Sequence, residues 1–484
     1  MSPKQVADPV SGPYRPGMDL SDDATRDRLR GHLGELFRQR RVVCGIAPLA
    51  AFTDWVSLLR AAGAHRPLLV VTAVGAGPVP GDEDAEVVHL ELDATATMTE
   101  DLRRQDAVAH HLPASVRAAV DSYDPECEAL WLVGPFVGTA PIDGRPVVGG
   151  RPEPWTALED KLVADAVWDV VGGDRAPSVV VPVDPEALAD AADRLDLGDG
   201  TVWAGDARDG FNGGGDFVRW VADEHDAAQA LAFFAPRCNR VRVMPFLEGV
   251  PCSIHGLVLP DGTAVFRPVE LAILRGARHS FVYGGQGTTW DPPDGDRAQM
   301  RELARRTGEH LREAVGYRGA FGIDGILTAD GFRPTELNAR MSGGLASLAQ
   351  VVDPGLFTLL QVNLAAGRDP GVTTAEVEAW ALPRMDGERL LKAIAMSPRQ
   401  VAEEPFDVHV RWDGERLHRS WSETGWSVSV GPNSAGTYCR LRTPAAPAPG
   451  TRAADLNVAL MRWLDEELGT GFGPVHAPPD VRPR

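Results

Sequence analysis

"AFGIDGILTADGFRPTELNAR", residues 320–340, holds two strand-like runs around a short turn, with an acid in each run. Ala329, Asp330 and Gly331 suit a three-residue hairpin loop, with glycine where a left-handed residue is wanted. Pairing Thr328 with Phe332 then sets Asp324 opposite Glu336, with Cβ atoms about 4.5–5.5 Å apart. Strand side chains alternate with period two, so Asn338 and Arg340 follow Glu336 on the same face. Two carboxylates and an amide oxygen are hard ligands suited to Mg2+, for which Mn2+ can stand in, and Arg340 adds a planar fork for phosphate oxygens. A solvated face on which the two acids merely neighbour Arg340 is the plainer alternative. Like charges facing each other across a ladder are destabilising, which argues against it. Pro334 cannot donate to a ladder and favours a bulge that would shift the register by one.

Around this hairpin runs a chain of 484 residues, too long for one compact core, for which one domain per about 100–200 residues predicts about three units. Apolar residues at 44% and charged residues at 24% are those of a globular chain with enough apolar surface to bury. A net charge of −20 repels a phosphate backbone and argues against general nucleic-acid or anionic-membrane partners. Small anionic ligands feel only their local pocket. Lysine occurs only at Lys4, Lys161 and Lys392, so any functional lysine is one of three. The five cysteines are odd in number and lack paired spacing, which predicts neither a disulfide framework nor a cysteine-rich zinc site and fits a reducing cytoplasm. The opening residues have no apolar h-region and no stretch approaches about 18 apolar residues, so a cytoplasmic protein without a membrane span is expected.

The pattern of elements predicts a multidomain chain of α/β and α+β units. Within residues 1–150, a helix capped by Ser21 or Asp22 precedes four buried strands at 42–46, 67–74, 87–92 and 129–134, with helical stretches near 52–62 and 100–121. Gly75, Gly77 and Gly81 follow the second strand, but Pro78, Pro80 and an acidic run replace the helix of a dinucleotide fingerprint, so a plain loop is expected. A proline-rich linker opens a second unit, 151–370, with a helix near 156–172 that contains Lys161, then mostly strands and a helix near 297–315. Residues 371–484 carry short strand candidates and an amphipathic helix on Leu456, Leu460, Trp463 and Leu464, and the Gly/Pro-rich tail from 469 reads as disordered.

Four further segments carry chemistry. Lys161 is either a functional lysine, in a chain that holds only three, or an ordinary helix-surface one. "WAGDARDGFNGGGDFVRWV" (203–221) holds Arg208 and the run Gly213, Gly214, Gly215, whose backbone N–H groups can approach phosphate oxygens. It is no Walker loop, and a plain surface loop remains its rival. "VRVMPFLEGVPCSIHG" (241–256) ends a strand in a turn at Gly249; Cys252 and His255 within it read as a buried strand pattern rather than a metal pair. "RGARHSFVYGGQGTTW" (275–290) offers Arg275 and Arg278 for a substrate carboxylate or acyl phosphate, or is simply a connection.

With its Asp in "GIDGIL", an Asp-Gly turn and "ELNARMSGG", the hairpin resembles the nucleotide-metal hairpin of the ATP-grasp superfamily, specifically its carboxylate-amine ligases. The resemblance covers about residues 156–350. It implies an ATP-grasp fold with an N-terminal pre-ATP-grasp α/β domain and a C-terminal extension, ATP and Mg2+ as cofactors, and small-molecule carboxylate and amine or peptide substrates. It leaves a homodimer open. By the same resemblance Asp324, Glu336 and Asn338 would hold Mg2+-ATP, and Arg340 would stabilise the transferring phosphoryl group. Lys161, Arg208 and the glycine run would meet phosphates, Met244, Phe246, Leu247 and Glu248 would read adenine and ribose, and Gly343 and Gly344 would lie against substrate. The family's lysine before the glycine loop is missing, with Trp203 near its place, and Pro245 and Pro251 stand where acids are usual. These departures motivate a second expectation, a non-catalytic nucleotide-binding regulatory or scaffold module; a third is the same chemistry with another acceptor. The unit before the linker and the C-terminal segment look most like the pheganomycin-type peptide ligases of natural-product pathways.

Overall fold

The computed structural model describes residues 17–93, 95, 97–422, 424–443 and 448–482. The Pro/Gly-rich lead through residue 16 lies outside them.

The N-terminal unit places α1 (Asp23–Gly34), β1 (Val42–Ala47), α2 (Thr53–Ala61), β2 (Leu68–Val71), β3 (Glu86–His89), α3 (Met98–His110), α4 (Ala114–Tyr123), β4 (Leu130–Val133) and β5 (Val147–Val148). Asp22 caps α1 by accepting from the Thr25 amide. The single helix expected over 100–121 is broken into α3 and α4 at Leu112–Pro113, since proline cannot continue the hydrogen-bond ladder. The strands form a parallel sheet in the order β3-β2-β1-β4-β5. The order reverses between β1 and β4, the switch point at which open α/β sheets present a crevice.

After α5 (Glu153–Thr156) a short 3-10 turn and a bend precede α6 (Ala164–Val171). The expected continuous helix over 156–172 does not form, and Lys161 lies in the bend. Then β6 (Val179–Pro182), α7 (Pro185–Leu195), β7 (Thr201–Gly205), β8 (Val218–Val221), α8 (Glu224–Phe234) and β9 (Arg240–Pro245) build a four-stranded antiparallel sheet, β6-β9-β7-β8. A second sheet begins with β10 (Val250–Leu259), β11 (Gly262–Val265), β12 (Val269–Gly276) and β13 (Ser280–Gly287), continues past α9 (Asp294–Val315) with β14 (Gly319–Thr328) and β15 (Gly331–Asn338), and is covered by α10 (Gly343–Gln350), α11 (Pro354–Ala365) and α12 (Thr374–Gly387).

The C-terminal segment extends that second sheet. Strands β16 (Leu391–Ser397), β17 (Phe406–Trp412), β18 (Leu417–Arg419), β19 (Trp426–Asn433) and β20 (Gly436–Arg442) join it through β13, giving β15-β14-β10-β12-β13-β16-β20-β19-β17-β18. Helix α13 (Ala453–Leu468) packs Leu456, Leu460, Trp463 and Leu464 onto Ala393, Ala395, Cys439 and Leu441. The tail expected to be disordered is held by three contacts. β21 (Val475–His476) pairs with β12, Trp290 donates to Asp480 at 3.1 Å, and Arg482 bonds buried Asp296 and the Ala329 carbonyl at the hairpin tip. Among the described residues no helix is long and apolar enough to cross a membrane.

Candidate active site

The hairpin turns one residue tighter than expected: Thr328 pairs with Gly331 and Leu327 with Phe332. Carried on unbroken, that register would set Asp324 against Thr335. Instead a bulge leaves Thr335 unpaired, because Pro334 beside it cannot donate, and Asp324 regains Glu336 as its partner. The expected acid pair forms, but through a two-residue loop and a compensating bulge rather than a three-residue loop. The Thr335 carbonyl freed by the bulge accepts from Arg242 at 3.1 Å.

On this face Asn338 Nδ2 donates to Asp324 Oδ2 at 2.8 Å, which leaves the side-chain Oδ1 as the acceptor for another group. Burial, and next the neighbouring Glu336 charge, push the Asp324 carboxyl well above the usual carboxylate range. Lys161, 4% exposed, reaches across from the bend and sets its Nζ 2.8 Å from Glu336 Oε1. Arg340 ion-pairs with buried Glu159, which also takes Arg151 at 2.5 Å. Burial favours the neutral acid at Glu159, but Arg340 and Arg151 outweigh it and hold the group below its ordinary value. The Arg340 guanidinium is thereby aimed over the Phe136 ring, 4.8 Å from its centroid. Glu159, Arg151 and Arg242 had no legible signal in the sequence, since each is a single charge whose partner lies in a distant segment.

The other sequence candidates disperse. Trp203 is buried among helix-facing residues of the small sheet, so no cation stands at the position where a lysine is usual. Arg208 turns onto Asp209 at 2.8 Å and the Pro236 carbonyl at 2.7 Å. The glycine loop is strapped to the N-terminal unit: Thr99 Oγ1 donates to the Gly213 carbonyl at 2.8 Å, and Arg103 bonds Phe211 and Asn212. Gly214 and Gly215 adopt left-handed φ values of 63° and 76° in this strap. At the hinge, Met244 is the last but one residue of β9, the Phe246 amide donates to the Gly200 carbonyl at 3.0 Å, and Phe246 stacks on Trp220 at 4.1 Å. Glu248, next to Leu247, pairs with Arg275, so two candidates from separate segments meet each other rather than the hairpin. Arg278 is exposed in the β12–β13 turn.

Gly343 and Gly344 open α10, and their smallness seats a histidine. A Cβ on Gly344 would lie 2.1 Å from His255 Nε2, and one on Gly322 2.7 Å from Nδ1. Burial lowers the His255 pKa to about 3, and the neutral ring bonds Ser253 at 2.8 Å and Ser342 at 3.3 Å. Cys252 and His255 are thus sheet residues, as the plainer reading of their spacing held.

No protein-family model and no curated protein matches the chain. Solved structures do. The biotin carboxylase domain of 2-oxoglutarate carboxylase from Hydrogenobacter thermophilus, a dimer solved with MgADP, ADP and bicarbonate, has a TM-score of 0.55 at 13% identity over 88% of this chain and 90% of that one. Carboxyaminoimidazole ribonucleotide synthase from Aspergillus clavatus, complexed with ATP, has a TM-score of 0.50 at 11% identity over 89% and 99%. Pyruvate carboxylase from Rhizobium etli has a TM-score of 0.52 at 12% identity, over 85% of this chain and 36% of that one. At such identities the likeness establishes the fold. The chain is a mixed α/β multidomain protein with the ATP-grasp fold.

Proposed function

We propose that this protein is an ATP-dependent ligase that joins a carboxylate to an amine through an acyl phosphate, releasing ADP and phosphate. The reading rests on one observation: Asp324 and Glu336 face each other across a bulged ladder, with Arg340 fixed beside them by a buried acid. Opposed carboxylates, one of them pushed towards its neutral form by burial and next by the other, with a side-chain amide oxygen at Asn338, are a donor set that fits Mg2+. When bound there, the ion would neutralise charge on the nucleotide phosphates. Lys161 and Arg340 supply the remaining positive charge, and phosphoryl transfer needs such positioning more than a protein nucleophile. The ATP and MgADP complexes of fold neighbours support the nucleotide assignment.

The substrates would enter a cleft of about 1090 Å³ at the carboxyl ends of β1 and β4, lined by Ile46, Phe52, Leu132, Pro135 and Met341. Pro135 and Met341 in its lining are the chain neighbours of Phe136 and Arg340. Within this class we favour peptide-bond formation in a natural-product pathway. The N-terminal unit ahead of the linker and the sheet-extending C-terminal segment are the features that support it.

The test is ADP release with mixtures of carboxylates and amines, with hydroxylamine present to trap an acyl phosphate as its hydroxamate. Wild type should give hydroxamate, and Glu336→Gln should give none. A chain that binds MgADP yet releases no ADP with any mixture would instead be a nucleotide-binding module.

A further inference from the structure

One aromatic ring joins three segments that lie far apart in the chain. Phe136 stands in the turn after β4, and its ring centroid is 5.1 Å from that of Phe211 in the glycine loop and 4.8 Å from the Arg340 guanidinium carbon. The turn that carries it is pinned by Arg151. The Arg151 amide donates to the Val137 carbonyl at 3.0 Å, its Nε donates to the Pro135 carbonyl, and its Nη1 donates at 3.0 Å to the carbonyl of Ala339, the residue before Arg340.

On the loop side the anchor is α3. Thr99 is fully buried; its amide donates to Asp216 Oδ2 at 2.8 Å, and its hydroxyl sits between the Gly213 carbonyl at 2.8 Å and the Gly213 amide at 3.1 Å. A Cβ on Gly213 would stand 3.2 Å from Leu102 Cδ1, so the absent side chain lets the loop lie close against the helix. Phe211 and Asn212 are buried in consequence, and Phe211 is held where it meets Phe136. At the hairpin, Glu159 meets Arg340 at Nη1, and a contact at one nitrogen does not fix the plane of the guanidinium fork. A ring face does, because its negative quadrupole attracts the flat cation lying over it.

We propose that Phe136 is a positioning residue whose ring carries the docking of the glycine loop on α3 through to Arg340, so that the arginine holds the plane a transferring phosphoryl group needs only while Phe211 lies against the ring. The proposal rests on the ligase reading for the phosphoryl group. It adds a regulation of that site: loop docking and phosphoryl transfer are coupled through the N-terminal unit.

Two measurements test it, and the first needs no turnover. By hydrogen exchange with mass spectrometry, Phe211→Leu should speed exchange in residues 134–138 and 339–343 as well as in the loop. A change confined to the loop overturns the proposal, whatever the protein catalyses. In steady-state kinetics Phe136→Leu should lower kcat for ADP formation about tenfold, with KM for ATP near wild type, and Phe136→Tyr, which keeps the ring, should restore it. Combining Phe136→Leu with Phe211→Leu should be no slower than Phe136→Leu alone, because both changes break one connection. An unchanged kcat, losses that multiply in the double variant, or a Phe136→Tyr as slow as Phe136→Leu overturns the proposal. Phe136 is half-buried, so these variants should keep the far-ultraviolet circular dichroism of wild type. A wild type that releases no ADP with any substrate mixture sinks the ligase reading and leaves the exchange measurement to decide the coupling.

Discussion

Asp324 faces Glu336 across the β14–β15 ladder because Thr335 is looped out of it. The like charges stay together only where something positive joins them, and Lys161 at 2.8 Å from Glu336 supplies part of that charge. Glu336→Gln removes one of the two carboxylates proposed to hold Mg2+ and should lower ADP formation on the order of 10²-fold or more, with the far-ultraviolet circular dichroism unchanged. Isothermal titration with MgADP should show weakened binding in the same variant.

The raised Asp324 carboxyl gives a pH signature. In the absence of metal its folded form holds a proton that the unfolded chain releases at about pH 4. The stability this group contributes is therefore present at acid pH and lost as pH rises through its folded value. Asp324→Asn should accordingly gain Tm relative to wild type as pH rises towards neutrality, and the two should converge in acid. Metal needs the ionised carboxylate, so MgADP binding to wild type should release protons, measured by titration in buffers of different ionisation enthalpy.

Lys161 and Glu336 form a pair buried at one end and 29% exposed at the other. Lys161→Met strands the acids and should cost about 1–3 kcal/mol, less than a fully buried pair because water reaches Glu336. Adding Glu336→Gln should recover part of that loss. A urea double-mutant cycle measures the coupling, and additive effects would show that the pair is not coupled.

Glu159 stands between Arg151 and Arg340 with almost no exposure. Glu159→Gln leaves two buried guanidiniums without their anion and should cost about 3–5 kcal/mol. If the role of Glu159 is to aim Arg340, kcat should fall while KM for ATP stays near wild type. Steady-state kinetics well below the variant's Tm separate the two effects.

Removal of residues 474–484 deletes β21, the Asp480 bond to Trp290 and the Arg482 clamp on Asp296 and the hairpin tip. The truncated chain should melt lower and exchange the amides of residues 328–332 faster, seen by hydrogen exchange with mass spectrometry. A dispensable tail would leave both unchanged.

Much of the site was legible because it is local. The hairpin's alternation, its turn residues and its two acids lie within about twenty residues, where strand period and turn chemistry act without help from the rest of the chain. Pro334 even announced the bulge that restores the acid pair. The helix over 156–172 was misread because an amphipathic pattern does not reveal where a bend brings a lysine to a distant acid. The tail was misread because a Gly/Pro-rich composition says nothing about a sheet edge waiting to pair with it.

By itself the sequence determined the α/β beginning, the strand-rich middle, and a hairpin with Asp324, Glu336, Asn338 and Arg340 on one face. Tertiary structure alone decided that Arg340 is held by Glu159, that Glu336 is met by Lys161, that Arg208 and Arg275 are engaged elsewhere, and that the C-terminal strands continue the hairpin's own sheet. The reason is physical. Periodicity and turns are set by neighbours along the chain, whereas ion pairs and sheet edges join groups whose separation in sequence carries no pattern, and only packing reveals which of them meet.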